Sequence, residues 1–143
     1  MSNQVQLAVV GFGLIGRRHA DVIRRTPGMT LSAVVEPSPE GQDAARAFGA
    51  KVYASLEDMM SMSPPDGVVL ATPTPLHLEQ GLSCISSGCP LLIEKPISVT
   101  SEEARQLTDA ADRAGVPLLV GHHRRQINLT SRLQRDLLHW PER

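Results

Sequence analysis

Six short apolar runs recur along the chain, and turn residues or polar segments separate them. They read VQLAVVG, MTLSAVVE, AKVYA, GVVLAT, PLLIE and VPLLVGH. In the first run the hydrophobic residues are nearly continuous instead of alternating with polar ones, which is typical of a strand buried on both faces of a parallel sheet. The six runs together predict six strands.

Between these runs the apolar residues have helical spacing, and serines, prolines and glycines mark where helices begin and end. We predict helices over Leu14 to Arg25, Pro39 to Phe48, a short segment capped by Ser55, His77 to Ser87, and Ser101 to Ala114. Strands joined through helices run parallel, and right-handed crossovers place the helices on both faces. The predicted fold is a doubly wound α/β parallel sheet in a single domain.

Composition narrows the function classes. The 143 residues suffice for one core, and a formal net charge of -1 gives no attraction to nucleic acid or to an anionic membrane. No window approaches the roughly 18 apolar residues that span a bilayer, and the first residues lack a leader pattern, so we expect a cytoplasmic protein. Cys84 and Cys89 lack companion ligands at zinc spacing and are interpreted as reduced, partly buried thiols.

The first candidate for chemistry is GFGLIG, between the first strand and the first helix. Gly11 suits a tight turn, Gly13 lets the backbone approach a pyrophosphate, and Gly16 lets the helix pack closely on the strand. The N-H groups at the start of that helix would face the phosphates. A simple glycine turn is the alternative, which the strand and helix on either side disfavour.

Glu36 ends the second strand at the position where a carboxylate accepts hydrogen bonds from the adenosine ribose of a dinucleotide. Its charge would repel a 2'-phosphate, which favours NAD over NADP. Arg17, Arg18 and Ser38 lie close enough in sequence to meet such a phosphate. NADP therefore stays open as the alternative cofactor.

The loop ATPTPLHLE leaves the fourth strand and contains the second candidate site. Its two prolines are expected to keep the chain extended and to prevent an immediate helix. The loop would lie at the carboxyl edge of the sheet, where open α/β sheets bind their ligands. His77 is either a capping or packing histidine or a ligand contact, and the residues alone leave both interpretations open.

The fifth strand ends on Glu94, Lys95 and Pro96 at the same edge. A lysine there can donate a proton or hydrogen bond to a substrate oxygen, and burial lowers a lysine pKa toward useful values. A surface ion pair of little energetic value is the alternative. The sixth strand ends in VGHHRR, where His122 and His123 point to opposite sides. We predict no metal site, because completing ligands are not evident.

Four motifs in order, GFGLIGRRH, ATPTPLH, EKPIS and VGHHRR, resemble those of the glucose-fructose oxidoreductase, inositol dehydrogenase and rhizopine catabolism family, written Gfo/Idh/MocA. The resemblance spans Val5 to about Arg125. It implies an N-terminal NAD(P)-binding Rossmann domain, which in the family precedes a C-terminal α/β domain. It also implies oxidation or reduction of a carbinol carbon in a sugar, cyclitol or related substrate.

The resemblance further implies roles for individual residues. Lys95 matches the catalytic lysine that contacts the reacting substrate oxygen, and Glu94 matches a residue near the nicotinamide ribose. The Lys95-Pro96 peptide is commonly cis in such enzymes, which would aim the lysine. The implied cofactor-binding residues are Gly11, Phe12, Gly13, Leu14, Ile15, Gly16, Glu36, Thr72, Pro73, Thr74, His77 and Glu94.

Residues 1-125 are predicted to form the dinucleotide-binding domain, and residues 126-143 a helical tail that departs from the family pattern. Leucines near one face of the tail favour contact with the sheet, a second copy or a partner subunit. Family members are much longer, so we expect a truncated chain that needs a substrate domain for turnover on a polyol or sugar-like molecule. The alternatives are a non-catalytic dinucleotide-binding sensor or subunit module, and a fragment that folds without function.

Overall fold

The computed structural model describes residues 4-122, which form one parallel six-stranded sheet in the order β3-β2-β1-β4-β5-β6. The order reverses between β1 and β4, because the chain returns to the centre of the sheet after β3. Such a reversal opens a crevice at the carboxyl ends of the two central strands. The strands are β1 (Val5–Val10), β2 (Met29–Val35), β3 (Val52–Tyr53), β4 (Gly67–Leu70), β5 (Leu91–Glu94) and β6 (Leu118–Gly121). The predicted doubly wound α/β fold is confirmed.

Five α-helices connect the strands, and local capping explains where several of them begin. Ser38 and Ser55 accept hydrogen bonds from backbone N-H groups of the first turns of α2 and α3. Thr100 and Glu103 form a capping box at the start of α5, and Gly115 ends that helix with φ +65°. The helices are α1 (Leu14–Arg25), α2 (Pro39–Ala47), α3 (Leu56–Met62), α4 (His77–Ser86) and α5 (Ser101–Ala114).

Two hydrophobic clusters lie on opposite faces of the sheet. Ala8 and Val10 of β1 pack in one cluster with Leu107 of α5, while Val9 packs in the other with Ile23 of α1. Successive side chains of a strand point to opposite faces, so helices on both sides of the sheet cover both sets of side chains in its central part. This double burial explains why the sequence runs are continuously apolar.

One expectation, for the loop after β4, differs from the structure. Residues Thr74–Leu76 form a 3-10 turn leading directly into α4, although the prolines were expected to keep the chain extended. Pro75 lies in the first turn, where its missing N-H group costs no hydrogen bond. The predicted sixth strand is present as β6, which lies at the sheet edge, and its Leu119 is 63% exposed.

Other predictions concern single features. Cys84 and Cys89 are buried free thiols, as interpreted from the sequence. Burial and the neighbouring Cys89 raise the pKa of Cys84 to about 12, and burial together with Asp66 raises the pKa of Cys89.

The helices within residues 4-122 are all too short or too polar to span a bilayer. The predicted tail helix and His123 lie outside the described residues.

Candidate functional site

Two of the three glycines of the β1–α1 loop, Gly11 and Gly16, have no room for a side chain. Gly11 has φ +89°, and a Cβ there would lie 2.8 Å from the Ala71 carbonyl oxygen of the neighbouring strand end. A Cβ on Gly16 would lie 1.8 Å from the Gly11 carbonyl oxygen, so only glycine lets the helix approach the loop. A Cβ on Gly13 would meet no described atom within 4 Å, which shows that this position faces open space.

The N-terminus of α1 is available to an anion. Its N-cap is Gly13, which supplies no side-chain cap, and none of the described residues of the first turn is acidic. The first N-H groups of a helix lack partners within the helix, and the dipole adds positive potential there. Leu14 and Ile15, in the same turn, are partly or largely exposed beside the loop.

Phe12 anchors the loop from below. Its ring is buried and packs edge to face on Phe48, with 5.7 Å between the ring centroids. Arg17 donates from Nε to the Phe12 carbonyl oxygen at 3.1 Å, and its guanidinium lies 5.5 Å from the centroid of the Phe12 ring. One of the two arginines that the sequence offered to a 2'-phosphate is thus engaged with the loop itself.

Glu36 reaches this loop from the end of β2. One carboxylate oxygen accepts from the Phe12 backbone N-H at 2.9 Å, and the other accepts from the N-H and hydroxyl of Ser38 at 3.0 and 2.8 Å. Burial raises the pKa of Glu36, but these hydrogen bonds and the charge of Arg17 outweigh it and leave the pKa below its ordinary value. The carboxylate is therefore held charged at neutral pH.

Gly41 makes room for the Glu36 side chain, and the sequence interpretation missed it. A Cβ at Gly41 would lie 2.5 Å from Cγ of Glu36 and 2.8 Å from the Ser38 hydroxyl. Gln42 also donates to the Glu36 carbonyl oxygen at 2.9 Å. The signal available in the sequence was a glycine three residues after Ser38, in the helix that follows Glu36.

A crevice of about 680 Å³ lies where the strand order reverses. This volume is within the usual range for sites that enclose small molecules and cofactors. Glu57 and Glu79 add two further acidic residues to its walls. Of the residues implicated by sequence, those that line it are Gly11, Gly13, Glu36, Thr72 and Pro73.

The loop after β4 is tied to the loop after β5 by His77. This side chain is 1% exposed, and its Nε2 lies 2.9 Å from the Thr72 carbonyl oxygen. Its Nδ1 lies 3.0 Å from the Pro96 carbonyl oxygen. Of the two interpretations left open by sequence, this geometry supports the packing histidine, which joins the two loops. Direct contact of His77 with a cofactor stays a prediction.

Glu94, Lys95 and Pro96 lie at the same carboxyl edge, and the Lys95-Pro96 peptide is cis, as the resemblance implied. Within the described residues the Glu94 carboxylate contacts Nε2 of His19 on α1, at 2.6 Å, and forms no ion pair with Lys95. Lys95 is exposed at this edge. His122, at the end of β6, is also exposed.

A metal centre is not found in this part of the chain. Residues 4-122 contain no group of three or more histidine, cysteine, aspartate or glutamate side chains arranged to hold an ion.

A doubly wound sheet with a glycine loop, an open helix N-terminus and an acidic residue after β2 defines the class of dinucleotide-binding Rossmann domains. Residues 5–122 match the Gfo/Idh/MocA oxidoreductase family, described as having an NAD-binding Rossmann fold. The chain belongs to this family. The predicted family and its NAD cofactor are thereby confirmed.

Individual relatives show how much of a family member this chain represents. It is 33% identical over 132 residues to the rhizopine catabolism protein MocA of Rhizobium meliloti, covering 92% of this chain and 42% of that protein. It is 33% identical over 129 residues to inositol 2-dehydrogenase of Corynebacterium glutamicum, covering 87% of this chain and 38% of that protein. The chain spans about two fifths of the length of these relatives.

A solved structure agrees with the sequence relatives. The WlbA dehydrogenase from Bordetella pertussis, in complex with NADH and UDP-GlcNAcA, superposes with a TM-score of 0.88 at 31% identity. The match covers 96% of this chain and 40% of that protein.

Proposed function

We propose that this chain supplies the NAD-binding and proton-transferring part of an oxidoreductase that acts on a carbinol carbon of a sugar, cyclitol or related substrate. The observation that carries the proposal is the placement of the glycine loop and Glu36 around the crevice at the strand-order reversal, with Lys95 after β5 at the same carboxyl edge of the sheet. The names of the relatives support the substrate class, since they include inositol dehydrogenases and a dehydrogenase solved with a sugar nucleotide.

The residues present fit a dinucleotide. The uncapped start of α1 offers N-H groups to a pyrophosphate, and the open space at Gly13 lets that group approach the backbone. Phe12, Leu14, Ile15 and Gly16 complete the loop in this proposal. Glu36 would accept hydrogen bonds from ribose hydroxyls, since carboxylate oxygens have capacity beyond the donors they already meet.

The nicotinamide half is assigned to the other side of the edge. Thr72, Pro73 and Thr74 would border it, with Glu94 near its ribose, while His77 holds the bordering loop from below. Thr72 already donates from its hydroxyl to Gln80 at 2.6 Å, which fixes the orientation of this wall.

Bound NAD supplies a hydride acceptor or, when reduced, a hydride donor. Lys95 would hold or release a proton at Nζ, opposite the substrate oxygen, which completes the two-electron change at the carbinol carbon. The exposure of Lys95 is consistent with a substrate approaching from outside the described residues. The cytoplasm is the proposed location, since free thiols persist in a reducing compartment.

The proposal predicts tighter binding of NAD than of NADP, because the charged Glu36 repels a 2'-phosphate. Calorimetric titration of the purified chain with each dinucleotide measures this preference. Glu36→Gln keeps the shape and removes the charge, so we expect NAD affinity to fall about tenfold, the effect of losing one charge-assisted hydrogen bond, with NADP affected less.

Asp109→Asn is the matched control, because it removes a carboxylate charge from an exposed position of α5 that does not line the crevice. This variant should leave NAD affinity unchanged. Failure of the wild-type chain to bind either dinucleotide would contradict the proposal. Binding of NAD without turnover, even when a substrate domain is supplied, would favour the non-catalytic dinucleotide-binding module.

A further inference from the structure

His19 joins α1, the helix of the glycine loop, to Glu94 at the end of β5. It lies one turn after Gly16 on α1, near the inward-facing Ala20 and Ile23. Its Nε2 donates to Oε1 of Glu94 across 2.6 Å, and both side chains are partly buried, at 26% and 14% exposure. The two residues are 75 positions apart in the chain, so the contact is wholly tertiary.

The Glu94 carboxylate is enclosed from two further directions. Its Oε2 accepts from the Lys95 backbone N-H at 3.2 Å. In the sheet Glu94 pairs with Gly121 of β6, where a Cβ would lie 2.9 Å from Oε1 of Glu94. A helix, a strand end and a neighbouring strand therefore converge on one carboxylate. The absence of a side chain at Gly121 leaves room for Oε1 of Glu94 in this position.

We propose that His19 is a positioning residue, which holds the Glu94 carboxylate in place and thereby shapes the nicotinamide side of the cofactor site. The inference rests on the proposed function, since it assigns Glu94 to that side. Without a donor at residue 19, the Glu94 side chain gains rotamers that point away from the edge, and binding must then restrict them. No backbone contact replaces the imidazole at Oε1 among the described residues.

The test compares NAD with ADP, because ADP lacks the nicotinamide riboside. For His19→Ala we expect the dissociation constant for NAD to rise about tenfold, the effect of losing one hydrogen bond to a charged group, and that for ADP to stay unchanged. His19→Gln keeps an N-H donor near the position of Nε2 and should recover most of the NAD affinity. Thermal unfolding of each variant checks that the fold is retained.

Gly121→Ala tests the same carboxylate from the opposite side. Its methyl group would crowd Oε1, so NAD binding should weaken while ADP binding does not. In the double variant His19→Ala/Gly121→Ala, the loss of NAD binding free energy should be smaller than the sum of the losses in the two single variants, because both changes act on the Glu94 carboxylate. The single variant Gly121→Ala also keeps the inference testable if His19→Ala does not fold.

The outcomes separate this inference from the function on which it rests. Wild-type chain that binds neither NAD nor ADP would overturn the proposed function and the inference with it. Wild-type chain that binds NAD, with His19→Ala binding NAD equally well, would overturn the inference alone. Equal losses of NAD and ADP affinity in His19→Ala and His19→Gln would show a general structural role and would also overturn it.

Discussion

At the scale of single residues, Glu36 shows how backbone donors keep a carboxylate charged. Its two oxygens meet Phe12 on one side and Ser38 on the other, and these contacts stabilise the ionised form more than burial opposes it. The carboxylate therefore connects the end of β2 to the glycine loop. The same charge carries the proposed preference for NAD.

The lowered pKa of Glu36 predicts a pH dependence of the free energy of unfolding. Because the folded pKa lies below the ordinary value of 4.5, this residue stabilises the fold above about that pH, and its contribution is lost as the pH falls through the lowered pKa. Glu36→Gln should therefore destabilise the chain at neutral pH and much less in acid. Urea unfolding of both proteins across this range measures the difference, and a gap that stays constant with pH would contradict the assignment.

His77 illustrates a residue whose role the sequence left open. Its position after a proline-rich loop is compatible with either a ligand contact or a packing histidine. Its complete burial and its contacts with carbonyl oxygens of two loops are tertiary facts. No periodicity or spacing reveals that the loops after β4 and β5 lie side by side.

At the scale of elements, the start of α2 holds the Glu36 side chain in place. Ser38 caps the helix through its hydroxyl, which also donates to Glu36, and Gly41 leaves the space that the Glu36 side chain fills. One helix start thus serves both folding and the proposed binding site.

Gly41→Ala is expected to weaken NAD binding about tenfold, through loss of one hydrogen bond to the charged carboxylate. The new methyl group would lie 2.5 Å from Glu36 Cγ and must displace that side chain from the Phe12 N-H. NADP binding should weaken less, so the preference for NAD over NADP becomes smaller. Calorimetric titration measures both values.

Asp43→Ala is the control on the same helix, because its exposed ion pair with Arg46 contributes little. It should leave both affinities unchanged. A folded Gly41→Ala protein with wild-type NAD affinity would show that the Glu36 side chain can move without loss of NAD binding. This result would contradict the role given to the start of α2.

At the scale of the whole molecule, stability comes from a sheet covered on both faces. Leu70 of β4 is fully buried in the centre of the sheet, while Leu119 of β6 is 63% exposed at its edge. These two leucines, both in strands of one sheet, therefore differ widely in burial.

Leu70→Ala should reduce the free energy of unfolding by about 2 to 5 kcal/mol, because it removes buried methyl groups and leaves a cavity. Leu119→Ala, the matched control, should change it by about 0.5 kcal/mol or less. Urea denaturation with a common m-value measures both. Similar losses in the two variants would mean that β6 is covered in solution.

The sequence by itself determined the element order, the fold class and the family. These follow from local signals: continuous apolar runs, the caps at Ser38, Ser55 and Thr100, and the glycine loop. Such signals act within a few residues, so they survive in a single sequence. The motif order then identified the family over nearly the whole described chain.

Only the tertiary structure decided which partners the site residues have. The pairing of His19 with Glu94, the space that Gly41 leaves for Glu36 and the bridge made by His77 each join segments brought together by strand order. The exposure of β6 was decided at the same level, because an edge position depends on neighbours and not on the strand's own residues. Periodicity records which way a side chain faces, whereas a contact between distant segments exists only once the sheet has been assembled.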